Sequence, residues 1–132
     1  MDVTAGERTL RLLQDQETTS GWRASVDAVA PGMDQWIVGA LFGGPYQRPG
    51  LSLRDRQLIN LGALTAMGGV EPQLVGHVRT CLRIGMTRQE VGEVFAHLTP
   101  YVGTPRALAG MRAAAQAFED ANATHEAARH DG

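Results

Sequence analysis

His77 and Cys81 stand four residues apart in the stretch GHVRTCLRIGMTRQEV, residues 76–91. If that stretch is helical, the two share one face. A histidine beside the chain's single cysteine raises three chemistries: metal binding, thiol redox and acid–base catalysis. A metal needs further ligands, and no His/Cys/Asp/Glu cluster of recognised spacing surrounds the pair. Thiol redox needs a second thiol to resolve the mixed disulfide, and the sequence has none. Cys81 therefore reads as a small apolar filler. His77 lies in the middle of an otherwise apolar segment. It is either a core histidine bonded to backbone or a general acid or base, since imidazole titrates near neutrality.

A second group lies in EVFAHLTPYVGTP, residues 93–105. Glu93 precedes His97 by four positions and Tyr101 follows it by four. Glu93 and His97 are either a surface ion pair or a carboxylate orienting an imidazole. Pro100 and Pro105 bracket Gly103, which gives a bent segment that either shapes a pocket wall or simply joins two helices. A third group is basic. Arg54 and Arg56 flank Asp55, and FGGPYQRPG at residues 42–50 adds Tyr46 and Arg48. A helix start prefers acids to arginines. These arginines are either solvated charge or a clamp for a carboxylate, whose geometry guanidinium matches with two parallel hydrogen bonds.

The elements that position these groups follow from composition and periodicity. The 132 residues fit a single domain, residues 1–132, and 43% are hydrophobic but only 5% aromatic. Leu, Val, Ala and Met must fill the core. A net charge of −2 and a pI near 6.0 give no basic stripe, so nucleic acid is not an expected partner. The charged start MDVTAGERTL is unlike a signal peptide. No apolar run approaches the roughly 18 residues of a membrane span. The expectation is a soluble cytoplasmic protein that does not bind membranes.

Thr4 to Glu7 has the form of a capping box, with Leu10 and Leu13 following in helical register. Thr18-Thr19-Ser20-Gly21 breaks that helix, and WRASVDAVA forms a short second one. Pro31 opens a segment carrying Trp36, Ile37, Ala40 and Leu41, and residues 42–50 form a loop. Ser52 caps a long helix with Leu58, Leu61, Leu64 and Thr65, apolar over a wide arc as if buried from several sides. Gly68-Gly69 ends it, Pro72 opens the next, and Gly85 stops that one. Thr87 to Glu90 is a second capping box, followed by Val91, Val94, Phe95 and Leu98. Pro100 disturbs or ends this helix. Thr104-Pro105 starts the last, with Leu108, Met111, Ala115 and Phe118 on one face. The tail from about Ala121 is polar and expected to fray. With no period-two stretch, the fold class is all-α, with about six helices. Their Ala- and Gly-rich, aromatic-poor character points to subunit contacts.

RPGLSLRDRQLINLGALTAMGG followed by HVRTCLRIGMTRQEVGEVFAHLTPYVGTPRAL resembles the carboxymuconolactone decarboxylase family, over roughly Phe42 to Ala115. The shared features are the Arg-Pro-Gly-Leu lead-in, the Arg-x-Arg turn, the Gly-Met-Thr cap, Glu-Val-x-x-His and Tyr-x-Gly-x-Pro. The resemblance implies an all-α alkyl hydroperoxidase D-like fold assembled as a homo-oligomer, a trimer or hexamer. The family's peroxidase-like branch carries Cys-x-x-Cys, where this chain has Val70 and Gln73. Cys81 stands where alanine is usual. That argues against peroxidatic activity.

The γ-carboxymuconolactone decarboxylase branch shares Arg-Pro-Gly-Leu and Tyr-x-Gly-x-Pro with this chain. The resemblance implies a cofactor-free, metal-free carboxy-lyase that removes CO2 from 4-carboxymuconolactone in the β-ketoadipate pathway of aromatic catabolism. The partner would be a small anionic organic substrate. On this reading Arg54 or Arg56 holds a carboxylate, with Arg48 and Tyr46 nearby. His77 and His97 handle the proton, Tyr101 positions or donates, and Glu93 orients His97. The sequence departs from the pattern at Thr99, Pro100 and Arg106. A changed pocket wall keeps an alternative open: a related non-redox lyase, isomerase or cyclase acting on another ketone or acid in a specialised biosynthetic pathway.

Overall fold

The computed structural model describes residues 1–130. Among them there is no strand, and the expected all-α class holds with seven α-helices. They are α1 (Val3–Leu13), α2 (Gln16–Val29), α3 (Met33–Ile37), α4 (Leu53–Met67), α5 (Glu71–Arg83), α6 (Arg88–Val102) and α7 (Thr104–His130). A π-helical turn, Val38–Phe42, continues α3, and Pro45–Gln47 forms a 3-10 turn within the expected loop. By their internal packing the described residues group into two compact units, Met1–Arg56 and the remainder from Gln57.

In the first unit, local polar groups set the helix starts differently from the sequence reading. Asp2, not Thr4, caps α1: its carboxylate accepts the Ala5 N–H at 3.0 Å. Thr18 to Gly21 lie inside α2 rather than breaking a helix. The break falls at Gln14-Asp15, because Asp15 accepts both the Thr18 N–H and the Thr18 hydroxyl. An aspartate reaching the third residue ahead satisfies an orphan donor of the first turn, and this outweighs the weak helix propensity of Thr-Thr-Ser-Gly. Arg23 ties α2 to its neighbours through Asp34 at 2.9 Å and Glu7 at 3.5 Å. The apolar centre is Ala5, Leu10, Leu13, Val38 and Phe42. A side chain at Gly6 would strike the Val38 carbonyl, so that glycine lets α1 lie against the π turn.

The second unit is a bundle of α4 from Gln57 onward with α5, α6 and α7. Its core holds Leu61 of α4, Leu74, Val78 and Cys81 of α5, Met86, Val91 and Phe95, and Ala113, Ala114 and Ala117 of α7. Cys81 is fully buried there, as the filler reading expects. The ends of α4 and the start of α6 follow the sequence signals. Ser52 Oγ accepts the Asp55 N–H at 3.0 Å, Gly68 and Gly69 end α4 with φ of +68° and +74°, and Thr87 and Glu90 form the capping box.

Several expectations fail in this unit. Pro100 does not end α6, which runs on to Val102. Proline removes the bond to the Ala96 carbonyl, but Ala96 is exposed and water can take that acceptor. Gly103, at φ +88°, stops the helix instead. Next, α4 is not buried from several sides. Gln57, Leu61 and Thr65 form one inward stripe, while Ile59 and Met67 are 55% and 63% exposed. Finally, α7 buries Ala107, Gly110, Ala113, Ala114 and Ala117, and turns Leu108, Met111 and Ala115 outward. The helix extends to His130, beyond the point near Ala121 where fraying is expected, with residues 122–129 exposed.

The small inward face of α7 reflects close approach. A methyl group on Gly110 would lie 2.6 Å from Phe95 Cε1 and 3.3 Å from Thr65 Cγ2. Gly110→Ala gains up to about 1 kcal/mol of helix propensity but overpacks the core at a cost of about 1–3 kcal/mol. A net loss of stability is expected. Urea unfolding of the variant would show it as a lower midpoint at unchanged slope.

Candidate active site

Gln57 has no exposed surface, although it is an amide facing a largely apolar core. Position 57 lies one turn before Leu61 and two before Thr65, so helical periodicity points it toward α5. There its Oε1 lies 3.0 Å from Nδ1 of His77. Asn60, one turn along α4, brings its Nδ2 to within 3.4 Å of the same oxygen. An amide oxygen only accepts, so Nδ1 of neutral His77 carries the proton and donates it to Gln57. The tautomer follows from that bond. Nε2 keeps its lone pair and is the nitrogen left for chemistry.

His77 is half-buried between fully buried Leu74 and Val78 on its own helix. Burial penalises the charged imidazolium and pushes the His77 pKa below its ordinary value of 6.5. At neutral pH the free protein therefore holds a neutral imidazole in a fixed tautomer. Stability is linked to the same group. Above pH 6.5 folded and unfolded chains both hold it neutral. As pH falls from there toward the lowered folded pKa, the unfolded chain takes the proton first and stability drops. His77→Gln should flatten the dependence of ΔG on pH in that acidic window and leave its slope at alkaline pH unchanged. Urea titrations at a series of pH values would show this.

The other sequence candidates fall into two sets. In the second unit, Glu93, His97 and Tyr101 line one exposed side of α6. The His97 and Tyr101 rings are 5.3 Å apart at 36°. Among the described residues, no hydrogen bond or ion pair joins Glu93 to His97. Tyr101 is 76% exposed. His97 lacks the enclosed setting that sets His77 apart.

In the first unit, Arg56, Arg48 and Tyr46 come together. Arg56 Nη2 donates to the Arg48 carbonyl at 2.7 Å, and its guanidinium carbon lies 5.9 Å from the Tyr46 ring centroid. Tyr46 stacks on Phe42 at 5.1 Å. Arg56 thus closes the 42–50 loop onto the first turn of α4. Its Nε is buried with no hydrogen-bond partner. Arg54, two positions earlier on the helix, is exposed while Arg56 is half-buried. It is the Arg48 backbone, rather than its side chain, that takes part.

Sequence reasoning missed Gln57 and Asn60. The signal was available: a glutamine on the inward stripe of an apolar helix must have a partner, because an unpaired buried amide is costly. Among the described residues there is no group of three or more His, Cys, Asp or Glu able to hold a metal ion, and no helix long and apolar enough to cross a membrane.

Comparison with known proteins covers the segment that carries these features. A 4-carboxymuconolactone decarboxylase of Acinetobacter baylyi is 33% identical over 90 residues, 68% of this chain and 66% of that enzyme. A nitrosuccinic acid decarboxylase of Metarhizium robertsii is 27% identical over 103 residues, 76% of this chain and 68% of the relative. An uncharacterised 15.0 kDa protein of Paracoccus denitrificans is 37% identical over 65 residues, 48% of each chain. The chain thus spans just under two thirds of the Acinetobacter enzyme and about half of the Paracoccus protein. The carboxymuconolactone decarboxylase family profile matches residues 31–116, from just before α3 well into α7, and so takes in Gln57, Asn60 and His77. By that match, and by the all-helical fold that frames it, this chain belongs to the carboxymuconolactone decarboxylase family.

Proposed function

We propose that the protein is a cofactor-free carboxy-lyase acting on a small carboxylated lactone such as 4-carboxymuconolactone, with His77 managing the proton. The observation that carries this reading is the hydrogen bond between fully buried Gln57 and half-buried His77, which leaves Nε2 as the reactive nitrogen of a neutral imidazole. Family membership and the name of the Acinetobacter relative support the reaction type.

Loss of CO2 from such a lactone leaves an electron pair on the ring carbon. The pair runs through the ring double bond, whose far carbon takes a proton. One proton is consumed and one CO2 leaves. His77 supplies that proton in two stages. In the free protein burial keeps it neutral. An anionic substrate placed beside Nε2 favours the charged form, so the imidazole takes up a proton from solvent on binding. It then delivers this proton to carbon while Gln57 continues to hold Nδ1. Carboxylate recognition falls to arginine, with Arg54, Arg56 and Arg48 as the candidates. Single replacements by Gln should raise KM more than they lower kcat where the arginine binds ground and transition states alike. His97, Tyr101 and Glu93 are assigned a secondary role at the surface of α6.

Incubating the purified chain with 4-carboxymuconolactone and following CO2 release tests the proposal. Absence of turnover by folded protein at pH 6–8 would refute it. A second reading is favoured by the Metarhizium relative, which aligns over the larger share of this chain. It keeps the loss of CO2 but changes the substrate to an open-chain acid whose carbanion is stabilised by a neighbouring group. Nitrosuccinate in the same assay separates the two.

We also infer self-association, from the exposed apolar residues Ile59 and Met67 of α4 and Leu108 and Met111 of α7. Light scattering that gave a monomer mass at micromolar concentration would rule it out.

A further inference from the structure

Away from the His77 group, the second unit has a groove of about 470 Å³ between the Gly68–Gly69 turn, the start of α5 and the start of α7. That volume is within the range of small-molecule sites. His77, Gln57 and Asn60 do not line it. Its walls include Leu64, Met67, Leu74 and Ala109, and Arg106 is the single arginine or lysine on its lining. We propose that this groove is a second ligand site, which takes a small organic monocarboxylate with a compact apolar body.

Arg106 carries the polar half of the argument. Among the described residues its side chain has no hydrogen bond or ion pair to another protein group. It lies along the turn: a Cβ on Gly68 would be 3.3 Å from Arg106 Nε. Gly68 also has φ +68°, so glycine serves there both the backbone and the approach of the guanidinium. An unpaired guanidinium above apolar walls matches a carboxylate attached to a ring or short chain.

Glu71 sets the charge of the ligand. It lines the same groove, and its Oε1 accepts the Gly69 N–H at 3.3 Å. It makes no ion pair with Arg106. A second carboxylate on the ligand would meet this anion, so the groove discriminates against diacids. The expected ligand therefore differs in charge from the dicarboxylate lactone considered for His77.

Methyl-resolved NMR of the full chain, titrated with benzoate, tests the proposal. Saturable shifts are expected at the methyls of Leu64, Leu74 and Ala109. Benzamide, the neutral isostere, should bind at least about tenfold more weakly, as should benzoate to Arg106→Gln, for loss of a charge-assisted hydrogen bond. Ala109→Phe, which fills the groove and keeps the charge, should abolish the shifts. His77→Gln should leave the Kd for benzoate unchanged. Equal binding of benzamide, undiminished binding to Arg106→Gln, shifts centred on other methyls, or no saturable binding would each overturn the assignment. Full displacement of benzoate by inorganic phosphate would overturn it in favour of a plain anion site.

Discussion

His77→Gln should lower kcat for CO2 release by about two to four orders of magnitude, the usual worth of a positioned acid or base. Glutamine approximates the volume of imidazole and can still hydrogen-bond across the helix pair, so the fold should survive. It cannot pick up and deliver a proton. Circular dichroism and the urea midpoint at pH 8 would confirm that the loss is chemical. The pH dependence of the parent protein offers a second check. The kcat/KM profile reports the free protein, where burial lowers the His77 pKa, and should rise as pH falls toward that value. The kcat profile reports the substrate complex, where the bound anion favours imidazolium, and should hold its acid plateau to higher pH. Identical profiles, or a His77→Gln variant that keeps full activity, would remove His77 from the chemistry.

Changes at Gln57 should act through His77 without removing it. Gln57→Leu leaves the Nδ1 proton without its acceptor in a part-buried setting, at a cost of about 1–3 kcal/mol in stability. The imidazole is then free to change tautomer and present the wrong nitrogen. Loss of a group that orients a histidine in this way is expected to cost about 10–100-fold in kcat, by analogy with the partners of metal-bound histidines. Gln57→Glu separates positioning from packing. A carboxylate opposite Nδ1 stabilises imidazolium and raises the His77 pKa. The acid limb of kcat/KM should then move to higher pH, and an NMR titration of His77 should move with it. If Gln57 were only filling space, Gln57→Glu would destabilise the fold but leave both curves in place.

The sequence revealed helices wherever periodicity and punctuation agreed. Ser52, Gly68-Gly69 and the Thr87–Glu90 box mark real boundaries, because each acts through a hydrogen bond or a backbone angle within four residues of itself. Asp2 and Asp15 cap where Thr4 and Thr18-Thr19-Ser20-Gly21 carry the more familiar signals, since several local patterns compete for one helix start and only geometry decides among them. His77 was legible as a single polar residue on an apolar face. Its partner was not, because Gln57 lies 20 positions earlier and pairing across helices leaves no spacing rule. The arginines were legible as a cluster. That Arg56 spends a donor on the Arg48 carbonyl depends on how the 42–50 loop folds back, which composition does not encode.

The inward face of α7 turns the usual expectation for mutational tolerance around. Gly110 has no room for a methyl group beside Phe95 and Thr65, and Ala107, Ala113, Ala114 and Ala117 are buried, whereas Leu108 and Met111 point away from this core. Within an isolated chain, enlarging an alanine on this helix should do more harm than trimming a leucine. A saturation scan of α7 should therefore show its sensitive stripe at 107, 110, 113, 114 and 117, with conservative-looking Ala→Val changes among the most damaging substitutions.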